Sequence, residues 1–146
     1  MEQSFFRHSH RVTYADCTLG DHLYYARYLN LLEAARNEFF RSLRLPFLDL
    51  QNQDTIFPVL ECRLRYKAPA RYDDLLSIEL WPTVAERVRL SLAYRIVNQK
   101  NVLILEAETL HVCASVSNKP KRLPETLRGR LLPFLRNDAG GENRRN

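Results

Sequence analysis

Apolar and polar residues alternate along most of this chain, and one stretch breaks the alternation. Between Tyr28 and Leu43 the apolar residues recur three and four apart. At helical spacing Tyr28, Leu32, Ala35, Phe39 and Leu43 stack on one face, and Leu29, Leu31 and Phe40 widen the stripe. The spacing predicts a helix that begins near Tyr24–Ala26, ends near Leu43 and is stopped by Pro46. Asn30, Asn37 and Arg41 lie opposite the stripe. Glu33 sits at the edge of the apolar arc and Arg36 falls inside it. They are three apart, the spacing of a helix-edge ion pair, and a charge on the core side of a helix needs a partner or a site.

The other segments read with period two. Residues 5–14 put Phe6, His8, His10, Val12 and Tyr14 on one side. Residues 59–67 put Leu60, Cys62, Leu64 and Tyr66 on one face and the basic Arg63, Arg65 and Lys67 on the other, which predicts a half-buried strand. Residues 47–55 read as a turn or a helical turn, and Pro69 to Asp74 as a turn. Leu76, Ile78 and Leu80 continue as a strand, in which Pro82 marks an edge or a bulge. Val88 to Ile96 is the next strand, followed by a hairpin turn at Asn98–Asn101. The last strand has Leu103, Leu105 and Ala107 in one phase and Leu110, Val112 and Ala114 in the other. That slip predicts a β-bulge near Glu108–Thr109. Pro124 to Leu135 is a short terminal helix, and 137–146 has the composition of a flexible tail.

The order is strand, loop, long helix, then four antiparallel strands. One amphipathic helix wrapped by a curled antiparallel sheet buries both apolar surfaces, so the class is α+β, in a single domain over 1–136. A lone helix leaves much of so broad a sheet uncovered, which calls for a partner subunit.

Composition changes little in this picture. The chain's 146 residues suit one domain, and 45% hydrophobic with 27% charged residues excludes disorder throughout. No apolar run nears the ~20 residues of a membrane span, and Met1–Arg7 lacks a signal-peptide core, so the expected compartment is the cytoplasm. Cys17, Cys62 and Cys113 are far apart and read as free thiols, with Cys62 and Cys113 as small buried residues of strands. His8 and His10 form an i, i+2 pair without the acidic or cysteine companions of a metal site, so no metal is expected. The net charge of +5, with arginines crowded at 128, 130, 136, 144 and 145, suits an anionic small ligand, an acidic partner or weak nucleic-acid contact, without choosing among them. The basic face of Arg63, Arg65 and Lys67 has no stacking aromatics between its charges, which argues against nucleic acid.

The chemistry concentrates where the polar loop from Tyr14 meets the helix. Unpaired N–H groups and the positive dipole end at a helix N-terminus can hold a developing negative charge.

Several motifs together resemble one family: Tyr14-Ala-Asp-Cys-Thr-Leu-Gly-Asp-His-Leu-Tyr-Tyr-Ala-Arg-Tyr28, Leu32-Glu-Ala-Ala-Arg36, Tyr66-Lys-Ala-Pro-Ala-Arg-Tyr-Asp-Asp74, Arg95-Ile-Val-Asn98 and Lys119-Pro-Lys-Arg-Leu-Pro124. The chain is similar, over residues 7 to about 124, to the hotdog-fold 4-hydroxybenzoyl-CoA thioesterase family and to the small acyl-CoA thioesterases associated with the Tol–Pal envelope system. The resemblance implies a hotdog fold and a homodimer or homotetramer with sites between subunits. It implies an acyl-CoA or acyl-carrier-protein substrate, with coenzyme A or phosphopantetheine as part of the substrate and no separate cofactor. It also implies a catalytic Asp in an Asp-x-Asp loop. The first Asp matches Asp16, but the catalytic second falls on Thr18, which is no base near neutral pH. Tyr25 stands at the family's backbone oxyanion donor. Glu33, Asp16 (with water held by Thr18) and Asp21 are the carboxylates able to compensate, Glu33 foremost. Arg36 can orient the thioester or hold Glu33, and Lys119, Lys121 and Arg122 can meet the phosphates. Two readings stand: a thioester hydrolase, or a hotdog module that binds an acyl thioester or polyketide-like ligand without efficient hydrolysis.

Overall fold

The structure, a computed structural model, describes residues 4–137. The helix α1 runs over Arg27–Ser42. Five strands follow the chain as β1 (Phe6–Arg11), β2 (Val59–Tyr66), β3 (Leu75–Glu86), β4 (Arg89–Val97) and β5 (Leu103–Val112). They form one antiparallel sheet in the order β1-β3-β4-β5-β2. Two short helices, α2 (Phe47–Asn52) and α3 (Glu125–Leu131), complete the fold. The expected tail lies, beyond Asn137, outside the described residues.

The helical stripe seats α1 on the sheet. Tyr28, Leu32, Ala35, Phe39 and Leu43 are all buried, as are Leu31 and Phe40. Leu29 is the exception and is half exposed. They meet the inward phase of β3 and β4, where Leu76, Ile78, Leu80, Leu92, Tyr94 and Ile96 are sealed from solvent. Burying each large side chain contributes roughly 1.5–3 kcal/mol, which outweighs the poor start of the helix, whose N-cap Ala26 offers no side-chain bond. The C-terminal end of α1 is held instead by Arg130, whose Nη1 donates to the Leu43 carbonyl at 2.8 Å. α1 does not cover the sheet alone. Leu127 and Leu131 of α3 are buried, and Phe134 packs edge-on against Phe39.

Several expectations from periodicity need correction. Pro82 does mark a bulge, since the β3–β4 register shifts between Pro82 and Val84. β1 reaches only to Leu80, so Pro82 also stands on a locally free edge, where its carbonyl takes the Arg136 N–H. No bulge lies at Glu108–Thr109: the β4–β5 register is continuous from Ala93↔Glu108 to Leu92↔Thr109. The inward phase persists through Leu105, Ala107, Thr109 and His111, with two polar residues occupying apolar positions. The irregularity sits across from them, in β2, between Val59 and Glu61. β2 is not half buried either. It is an edge strand paired to β5 alone, and Leu60 (68% exposed), Val59, Cys62 and Tyr66 lie open. Cys62 is therefore exposed, whereas Cys113 is buried.

Candidate active site

The loop between β1 and α1 is closed by its own hydrogen bonds. Asp16 ends a 3₁₀ turn, where its Oδ2 accepts the Thr13 N–H at 2.9 Å and faces His10 Nε2 at 2.8 Å. Partial burial pushes the Asp16 carboxyl upward, but the bonds from Thr13 and His10 outweigh it and hold the group below its usual range. The Thr18 N–H donates to the His22 carbonyl, and Gly20 turns the chain at φ +79. The Thr18 side chain is exposed, as is that of Asp21, which itself sits at φ 58. The loop then returns to Asp16, whose carbonyl takes the Tyr24 N–H at 2.9 Å.

At the head of α1, Tyr25 is tied down through its carbonyl, which accepts the Tyr66 hydroxyl of β2 at 2.9 Å. No acceptor among the described residues takes the N–H of Tyr25 or Ala26. Tyr25, Tyr28 and Tyr66 line an open recess of ≈ 400 Å³ there. The unpaired donors and the aromatic walls suit a polarised carbonyl oxygen.

A second cleft, ≈ 220 Å³, opens further along α1 between that helix, α2, the segment before β2 and the inner face of β4 and β5. Phe40, Phe47, Phe57, Leu90 and Leu92 supply apolar walls, and Glu33, Arg36, Asn37 and His111 supply polarity. The Phe40 and Phe47 rings stack at 4.4 Å. Glu33 and Arg36 do not pair here, which corrects the helix-edge reading. Arg36 Nη1 instead donates to Tyr94 Oη at 3.1 Å. Glu33 is exposed at the cleft and bonds to no side chain among the described residues.

Behind Arg36 lies a buried polar chain. Tyr94 Oη is 2.8 Å from Thr109 Oγ1, which is 2.8 Å from His111 Nε2, and His111 Nδ1 is 3.1 Å from the Phe57 carbonyl. Burial pushes the His111 pKa down to about 4; the Phe57 carbonyl pulls against this and the Arg36 charge adds to it. His111 is therefore neutral at pH 7. Burial likewise raises Tyr94, opposed by Arg36.

The expected site residues fall into separate places. Asp16 and Thr18 belong to the loop, Tyr25 to the recess at the head of α1, and Glu33 with Arg36 to the cleft. Lys119 is exposed on a turn. Lys121 Nζ donates to the Asp54 carbonyl at 3.0 Å, one residue from the cleft wall at Thr55. Arg122 lies apart, with Glu86, Arg87 and Arg128. Periodicity reads Tyr94 only as an inward residue of its strand and Thr109 as the edge of a bulge, and it gives neither them nor His111 a role in a site. Their signal was the pair of polar residues at Thr109 and His111, where an unbroken inward phase asks for apolar ones. Among the described residues no cluster of three or more metal-ligating side chains occurs, and no helix is long and apolar enough to cross a membrane.

Comparison with known proteins gives this geometry its context. A family model for the thioesterase-like superfamily matches residues 12–131. The acyl-CoA thioester hydrolase YbgC of Escherichia coli is 36% identical over 128 residues, covering 87% of this chain and 96% of the relative. The acyl-CoA thioesterase YbgC of Haemophilus influenzae is 31% identical, covering 81% and 88%. A 1,4-dihydroxy-2-naphthoyl-CoA thioesterase from Synechocystis superposes with a TM-score of 0.82 at 23% identity, over 88% of this chain and 96% of that one, which speaks for the fold. With a curled antiparallel sheet around one long helix, and a family match spanning the helix and four of the five strands, the chain belongs to the hotdog-fold thioesterase-like superfamily.

Proposed function

We propose that this protein is an acyl-CoA thioester hydrolase whose reaction runs in the cleft beside α1, with Glu33 as the general base. One observation carries the reading. Glu33 lines an apolar-walled cleft as a carboxylate that no group among the described residues engages, while the neighbouring cation Arg36 is turned away from it to Tyr94. A carboxylate free of partners is available to draw a proton from water, and the water oxygen then attacks the thioester carbon. Arg36 donates to the carbonyl oxygen as it gains charge, and collapse of the intermediate expels the thiolate. Asp16 is the weaker choice, because its carboxylate is already committed to Thr13 and His10. Thr18, next to it, serves to hold water. The uncommitted N–H of Tyr25 is the second donor for the thioester oxygen once two chains bring a recess and a cleft together.

The open edge of β2, with Leu60, Val59 and Tyr66 exposed, favours pairing of two copies into a homodimer, on which a homotetramer can be built. Lys119 and Lys121, with Arg122, then meet the phosphates of coenzyme A or of a carrier protein's phosphopantetheine. The cytoplasm, where acyl-CoA is made, is the fitting compartment.

The test is a panel of acyl-CoA thioesters of varied chain and ring, with released thiol measured by a colorimetric reagent. Turnover above buffer on at least one member is expected. Binding of the thioesters without turnover above buffer would instead support the second reading, a module that holds acyl thioesters.

A further inference from the structure

Nothing in the packing of the sheet calls for Thr109 and His111 to be polar. Both face inward, Thr109 between Leu92 and Cys62 and His111 between Leu90 and Val59, and both are sealed, at 1% and 5% exposure. Buried polar groups cost stability unless every donor and acceptor is met.

The donors and acceptors can be followed from one end. The Phe57 carbonyl only accepts, so the proton of the neutral imidazole is on Nδ1 and Nε2 is an acceptor. The Thr109 hydroxyl must then donate to Nε2, and its oxygen accepts from Tyr94. The Tyr94 oxygen in turn accepts from Arg36 Nη1. Every hydroxyl is committed in one direction, and the negative ends of the dipoles face the guanidinium. Such chains strengthen each member in turn. The arrangement anchors a cation without using an anion: among the described residues no carboxylate lies within salt-bridge distance of Arg36. A carboxylate would have cancelled the charge that the cleft receives.

We propose that Tyr94, Thr109 and His111 are positioning residues, a neutral relay that fixes the Arg36 guanidinium against the cleft with its charge uncompensated and its remaining N–H groups turned to the thioester oxygen. The proposal rests on the hydrolase reading of that cleft, and it adds the buried residues that make Arg36 effective there. Losing the Thr109 hydroxyl leaves Tyr94 free to rotate its O–H and leaves the guanidinium without a fixed plane.

The experiment compares Thr109→Val and Thr109→Ser, each in the parent and in an Arg36→Gln background, by steady-state kinetics on one hydrolysed acyl-CoA. Thr109→Val is expected to lower kcat roughly ten- to hundred-fold with KM within about two-fold, since misplacing a group that acts in the transition state costs that much. Thr109→Ser restores the hydroxyl and the rate. In the Arg36→Gln background Thr109→Val has no further effect. An unchanged kcat in Thr109→Val, or an equal loss in both backgrounds, overturns the proposal. Nitrogen-15 shifts of the His111 ring give a readout independent of turnover. A neutral Nδ1–H tautomer at pH 7 is expected, and an Nε2–H tautomer overturns the relay. Absence of turnover by the parent on every thioester would instead count against the hydrolase reading, with the tautomer still deciding the relay.

Discussion

Arg36 lies one turn beyond Glu33 on the same helix, yet its guanidinium reaches across to the Tyr94 hydroxyl at 3.1 Å and leaves the glutamate alone. Two opposite charges at ideal helical spacing decline to pair because a better-placed acceptor is buried behind one of them. An exposed i, i+3 pair is worth only about 0.2–0.5 kcal/mol, less than a hydrogen bond from a charged donor to a fixed buried hydroxyl.

Glu33→Gln therefore touches chemistry rather than stability. Its kcat should fall by roughly 10²–10⁴, the usual contribution of a positioned base, while its melting temperature stays close to the parent's. Asp16→Asn should do the reverse. It weakens the bonds to Thr13 and His10, costing on the order of 1 kcal/mol, and leaves kcat within a few-fold. Thiol-release kinetics and thermal melts on both variants decide between them.

The stability of the protein should depend on pH through His111. Its folded pKa of about 4 lies below the reference of 6.5, so between these values the unfolded chain binds the extra proton. Its contribution is complete above pH 6.5, declines as pH falls toward 4, and amounts to about 3 kcal/mol in all. His111→Val should flatten that part of the stability–pH curve, as measured by denaturant melts from pH 4 to pH 7.

Arg130→Ala removes the donor that closes the C-terminal end of α1 at the Leu43 carbonyl. The expected loss is about 1 kcal/mol, read as a lower denaturation midpoint with unchanged slope. Arg130→Lys should recover part of it, since the donor is retained but its planar fork is not.

Leu60→Asp places a charge at the start of β2, where the side chain is 68% exposed. Sedimentation should show the parent as a dimer or larger and the variant shifted toward one chain. A parent that runs as a single chain at micromolar concentration would count against pairing through this edge.

Much of this architecture was legible in residue spacing. Tyr28, Leu32, Ala35 and Phe39 on α1 and Leu43 at its end are buried, and β1, β3 and β4 largely keep their alternation, because burial on one face leaves a periodic record. β2 misleads for a physical reason: its apolar face is real, but only Leu64 and Tyr66 reach the core and Tyr28, while Leu60 and Cys62 stay exposed. The end of β5 misleads for another. By polarity alone Thr109 and His111 interrupt the alternation, yet in the strand they continue its inward face. The candidate site was half legible. Motif likeness brought out Glu33, Arg36 and the Asp16 loop. Which of them share a cleft depends on how α1 lies on β4 and β5, and on a hydroxyl at Tyr94 that sits 58 residues from its partner.

The neutral anchorage of Arg36 carries one more consequence. Dissolved ions weaken attractions between net charges, and between Arg36 and its protein partner only one side has any. Concentrated brine can therefore blunt how strongly the guanidinium feels an incoming anion without loosening its seat. Salt should erode the capture of a charged substrate well before it disturbs the alignment of the cleft.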